Sequence, residues 1–166
     1  MTKDNKTSDK DHALRQQLLT LLRGGEAHAN FSDIMKNFPP KLRGVKPDQL
    51  PHSAWMLLDH MRMAQRDILD FSTNPKYKPM KWPDDYWPKN PAPPNSAAWN
   101  RSIQQFRKDL AAMRALVANR KTDLFTPIPW GDGQTILREA LLLADHNSYH
   151  LGQMLDLRRI LGAWKK

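Results

Sequence analysis

The chain has 166 residues, 40% of them hydrophobic and 26% charged, which suits one compact domain over residues 1–166 and excludes a disordered or membrane-spanning class. Its longest apolar run, Ala140 to Ala144, is far short of the roughly 20 residues that cross a bilayer, and the first eleven residues hold no apolar core, so no membrane anchor or secretory signal is expected. There is no cysteine and the net charge is +9: catalysis by a thiol of the chain's own is excluded, a cytoplasmic location is expected, and the scattered basic pairs (Arg158-Arg159, Lys165-Lys166) imply no specific nucleic-acid surface.

Residues 1–10 are expected to be flexible. Leu14, Leu18, Leu21 and Leu22 recur at three- and four-residue spacing and predict a helix over 12–23, interrupted by Gly24-Gly25. A short helix is expected over 32–37. Pro51-His52-Ser53 opens a stronger helix reaching about residue 71, with Trp55, Leu58, Met61, Ile68 and Leu69 as a wide apolar stripe. Seven of the thirteen prolines then fall between Pro75 and Pro94, which excludes a helix or a central strand. Tyr77, Trp82, Tyr86 and Trp87 give this connection apolar mass to pack onto a scaffold, so it reads as a long crossover within one domain. A further helix runs from residue 95 or 96 to 117, with Trp99, Ile103, Phe106, Leu110, Met113 and Leu116 on one side. The last follows Gly131-Asp132-Gly133-Gln134-Thr135, carries Ile136, Leu142, Leu143, Leu157, Ile160 and Leu161, and stops at Gly162. No segment reads as a strand. The expected fold is an all-α four-helix bundle with the proline-rich connection between its second and third long helices.

The last helix holds the most informative stretch. Residues four apart on a helix are about 40° apart around the axis and 6 Å along it, so His146 and His150 point the same way. Leu143 and Leu142 precede them on that face and Met154 and Leu157 follow, so two imidazoles replace leucines within an apolar stripe. Such a pair chelates a divalent transition metal such as zinc or nickel, although a chance pair has the same spacing. His60 is the best-placed third ligand, since Met56, Leu57, Met63 and Ala64 surround it on its own helix. His12 and His52 sit at helix starts and read as solvated or capping groups, and His28 is a possible neighbour of the site. Asp59, Asp145, Tyr149 and Gln153 are candidates to orient a ligand or a substrate, or are packing and surface residues; for Asp145 the surface is favoured. Met56, Met61 and Met63 read as core filler, and Trp82, Trp87 and Trp130 as packing.

Ser53-Ala54-Trp55-Met56-Leu57-Leu58-Asp59-His60, Gly133-Gln134-Thr135-Ile136-Leu137-Arg138-Glu139 and Asp145-His146-Asn147-Ser148-Tyr149-His150-Leu151-Gly152-Gln153 together resemble the DinB-like superfamily. The resemblance runs from the Gly-Gly-Glu-Ala-His segment to Trp164. It implies an up-up-down-down bundle with a divalent metal (zinc or nickel) on His60, His146 and His150; a homodimer is the expected assembly. It also implies metal-dependent transfer involving a low-molecular-weight thiol such as bacillithiol or mycothiol, with a small-molecule substrate. Three imidazoles leave a coordination position open, as catalytic sites do. Without a cysteine the nucleophile would be an external thiol or water, giving transfer or hydrolysis. The rival reading is a metal-binding, stress-associated bundle without turnover.

Overall fold

The computed structural model describes residues 3–164. Among them the chain is all-helical: α1 (Lys3–Arg23), a short α2 (Phe31–Met35), α3 (Ala54–Thr73), α4 (Ser96–Ala118) and α5 (Ile136–Ile160). One isolated bridge, Pro127 with Thr135, is the only β-type pairing among the described residues. The helix starts follow local chemistry. Asn30, Ser53, Asn95 and Thr135 each place a side-chain oxygen on the backbone N–H three residues on, satisfying a donor that has no partner within the helix.

α1 departs from expectation at its start. It begins at Lys3, ahead of His12, so residues 3–11 extend the helix expected over 12–23; residues 1 and 2 lie outside the described residues. The sequence of this extension is polar, so no hydrophobic period marks it. Arg15 anchors its packed end. The guanidinium is buried, with Nη1 donating to the carbonyls of Val117 and Asn119 at 2.7 and 3.1 Å and Nη2 to that of Thr122 at 2.8 Å, where α4 runs out of intrahelical partners.

α3 packs on α4 and α5, and α1 packs on the same two helices. Two apolar clusters fill the interior. One joins Phe31, Trp55, Met61, Trp99, Phe106 and Met154, and the other joins Leu18, Ile68, Leu69, Met113, Val117 and Leu143. Three residues of the expected stripes face outward, Leu21 at 48%, Leu142 at 36% and Ile160 at 49% exposure, because each lies at the edge of its helix's buried arc. Arg158, half of a basic pair in the sequence, is buried; its guanidinium serves the carbonyls of Ile34, Lys36 and Ala163.

Residues 74–95 join α3 to α4 through a single 3₁₀ turn, Asp84–Tyr86. Side chains tie this segment down. Tyr77 and Tyr86 donate their hydroxyls to the two oxygens of Asp67 on α3, at 2.9 and 2.7 Å, and Ser53 Oγ donates to the Pro91 carbonyl. Gly44 lies against Ala92 so closely that any Cβ there would collide with it. Trp82 is 69% exposed and so is not the packing residue expected. Among the described residues no helix is long and apolar enough to cross a membrane.

Candidate metal centre

α3 carries His60 and α5 carries His146 and His150, and the contact between these two helices brings the three rings together. Nε2 of His60 lies 3.0 Å from Nε2 of His150 and 3.0 Å from Nε2 of His146. One candidate ligand atom from each ring lies within 4.8 Å of the others; His60 and His150 are buried and His146 is half-buried.

The far side of two rings is tied. His60 Nδ1 lies 2.8 Å from the Tyr86 carbonyl and His150 Nδ1 lies 2.8 Å from Gln153 Oε1. An oxygen of this kind only accepts, so in each neutral ring the proton sits on Nδ1 and Nε2 bears the lone pair. Burial holds the rings neutral. It pushes His60 and His146 down to about 4, helped in each case by the neighbouring imidazoles, and lowers His150 as well.

Lone pairs of His60 and His150 therefore face each other across 3.0 Å with no proton between them. That arrangement is repulsive by itself and favourable around a cation. Two nitrogens bonded to one ion at about 2.0–2.1 Å lie about 2.9 Å apart at a right angle and about 3.3 Å apart at a tetrahedral one, and the observed separation falls in this range. The donor set is all imidazole, which suits zinc, nickel, copper or iron better than calcium or magnesium. The residues present thus fit a divalent transition metal.

Trp87 walls the site on one side. Its ring stacks on His60 at 3.8 Å between centroids and 2° between planes, and on His52 at 4.1 Å and 18°. His52 is therefore neither solvated nor a cap: it is half-buried against Trp87 with Nδ1 unpaired, and Ser53 supplies the cap of α3. Tyr149, 63% exposed, sets its ring edge-on to His150 at 4.9 Å.

The remaining candidates separate cleanly. Gln153 touches His150. Asp59 turns toward α4, accepting from Ser102 Oγ there and from Arg62 Nε on its own helix, at the edge of a cleft of about 540 Å³. Asp145, His12 and His28 are exposed, with His28 Nδ1 on the Ala29 carbonyl at 3.0 Å. Sequence reasoning missed the Tyr86 carbonyl, the stacking of Trp87 and the buried Asn147 beside His146. The first is a backbone atom, and no residue type marks it.

Comparison with curated proteins finds no match, and comparison with solved structures finds none. A family model does match: the DinB superfamily, over residues 25–154. The matched span includes the α3 histidine, both α5 histidines and the segment that covers them, and it takes in well over half of the chain. With the all-helical architecture and the histidine cluster in place, the chain belongs to the DinB superfamily.

Proposed function

We propose that His60, His146 and His150 hold a divalent transition metal, zinc or nickel, and that the protein uses it to act on a small electrophilic substrate with a low-molecular-weight thiol, or with water, as nucleophile. The observation that carries this reading is the convergence of the three Nε2 atoms with the Nδ1 protons of His60 and His150 turned away and given to fixed oxygens. On this reading the helices follow the up-up-down-down path of the superfamily. A bound ion supplies Lewis acidity, which lowers the pKa of a thiol or water and so provides the nucleophile that a chain without cysteine lacks.

The chain's own residues divide the remaining work. Trp87 and the Tyr86 carbonyl close the His60 side against solvent and hold its ring plane. His146, the half-buried member of the set, and exposed Tyr149 mark the side open to a substrate. Gln153 keeps a proton on His150 Nδ1 and leaves Nε2 free.

The test is a screen of the protein, stripped with chelator and reloaded with zinc or nickel, across small thiols and electrophiles. Metal-dependent consumption of electrophile that requires the thiol is expected. Turnover without thiol, with solvent oxygen entering the product, would assign hydrolysis. Absence of both, together with a large rise in melting temperature on metal loading, would replace this reading with a metal that only ties α3 to α5.

A further inference from the structure

Two complementary polar atoms beside the cluster are buried and unpaired: Nδ1 of His146 and Oδ1 of Asn147. They belong to consecutive residues of α5, and the Asn147 side chain lies near enough to the His146 ring to work against the lowering that burial imposes on it. The rest of the Asn147 amide is engaged. Its Nδ2 donates to Gln65 Oε1 at 3.0 Å, and Gln65 Nε2 donates to the Phe106 carbonyl at 2.6 Å. Gln65 is 0% and Asn147 7% exposed, so water does not substitute freely for these partners.

The direction of this amide chain is set at its far end. A backbone carbonyl only accepts, so Gln65 must turn its NH2 toward Phe106 and its oxygen toward Asn147. Asn147 must then give its NH2 to Gln65, which leaves its oxygen for His146. An oxygen there can pair only with a donor, and a neutral imidazole has one N–H to offer.

We infer that Asn147 is a positioning residue: it accepts the Nδ1–H of His146 and so keeps the lone pair on His146 Nε2, the atom 3.0 Å from His60 Nε2. Pairing satisfies both buried atoms, whereas leaving them apart forfeits the solvation of each without return. The relay runs from the α4 backbone through Gln65 on α3 to Asn147 and His146 on α5. It gives His146 what His60 takes from the Tyr86 carbonyl and His150 from Gln153. The consequence for metal affinity rests on the metal reading above, but the tautomer is a property of the metal-free chain.

The experiment is nitrogen-15 NMR of histidine-labelled, chelator-treated protein at pH 7.5, with His60 and His150 as internal references, followed by Zn²⁺ titration. In the wild type, His146 is expected to be protonated on Nδ1 and bare on Nε2. Asn147→Leu, which keeps the approximate shape but removes the acceptor, should move His146 toward the Nε2-protonated form and weaken Zn²⁺ binding by about 10–100-fold. Asn147→Asp keeps an acceptor for His146 and should restore the Nδ1-protonated tautomer, at a cost in stability because it no longer donates to Gln65 Oε1. A wild-type His146 protonated on Nε2, which needs no variant to observe, would overturn the inference, as would an unchanged tautomer in folded Asn147→Leu. If the tautomer shifts as expected but no form binds Zn²⁺, the relay stands and the metal reading fails.

Discussion

Removing the Asp67 carboxylate should release residues 74–95 from α3 and loosen the histidine cluster through them. Tyr77 and Tyr86 donate to its two oxygens at 2.9 and 2.7 Å. Burial, and then the carboxylate itself, push both phenols well above their ordinary range, so both remain donors at any working pH. A hydrogen bond to a charged acceptor contributes about 1.5–3 kcal/mol. All three residues are half-buried, which argues for the lower end, so Asp67→Ala should cost about 3 kcal/mol. For a chain of this length that corresponds to a melting temperature lower by roughly 6–12 °C. Asp67→Asn retains one accepting oxygen and should cost about half as much. Zn²⁺ affinity should fall about tenfold in Asp67→Ala, because the backbone of Tyr86 supplies the acceptor for His60 Nδ1. Tyr77→Phe should lower the melting temperature with less effect on the metal, since Tyr86 keeps its own bond to Asp67. Circular dichroism melts and competition with a chromophoric chelator measure both quantities. An Asp67→Ala protein that melts within about 2 °C of wild type, or that holds Zn²⁺ within twofold, would refute the coupling between loop and site.

Chelator-treated protein should lose stability as the pH falls from about 6.5 to about 4. His60 and His146 are pushed down to about 4 in the fold, whereas an unfolded histidine titrates near 6.5, so the unfolded chain takes up protons first and stability is full only above that window. The loss should be on the order of 3 kcal/mol for His60 and less for the half-buried His146; urea melts at pH 7.5 and 5 that coincide would contradict it. Replacing His60, His146 or His150 singly by Ala should abolish tight binding of Zn²⁺ or Ni²⁺ by calorimetry, while His12→Ala and His28→Ala leave it intact; full binding by His60→Ala would remove α3 from the site. Arg15→Leu strands the carbonyls of Val117, Asn119 and Thr122 and should cost about 3 kcal/mol or more in urea melts, a loss that a merely solvated arginine would not produce. Duplex DNA should bind weakly and release at about physiological salt, because the basic excess forms no groove-matching surface; sequence-selective binding that survives would overturn this.

Much of the helical framework was legible in the sequence because its signals are local. Trp55, Leu58, Met61, Ile68 and Leu69 repeat within a few turns, and Ser53 and Thr135 meet donors three residues away, so neither signal needs knowledge of the rest of the chain. The spacing of His146 and His150 put both rings on one face for the same reason. Other outcomes depended on contacts between distant residues. Arg158 became a buried partner of the Ile34 and Lys36 carbonyls, although as one of two adjacent arginines it carries no mark of burial. His52 and His60 each follow polar or apolar neighbours that predict different fates, yet both ended against Trp87, since the path of the proline-rich segment decides what a half-exposed ring meets. The orientation of His60 rests on a carbonyl 26 residues away, an atom that every residue type supplies equally. Only the packing of α3 against α5, with the loop pinned to Asp67, makes three of the six histidines converge, because a ligand cluster is fixed by the relative placement of helices, and the period of each helix alone leaves that placement free.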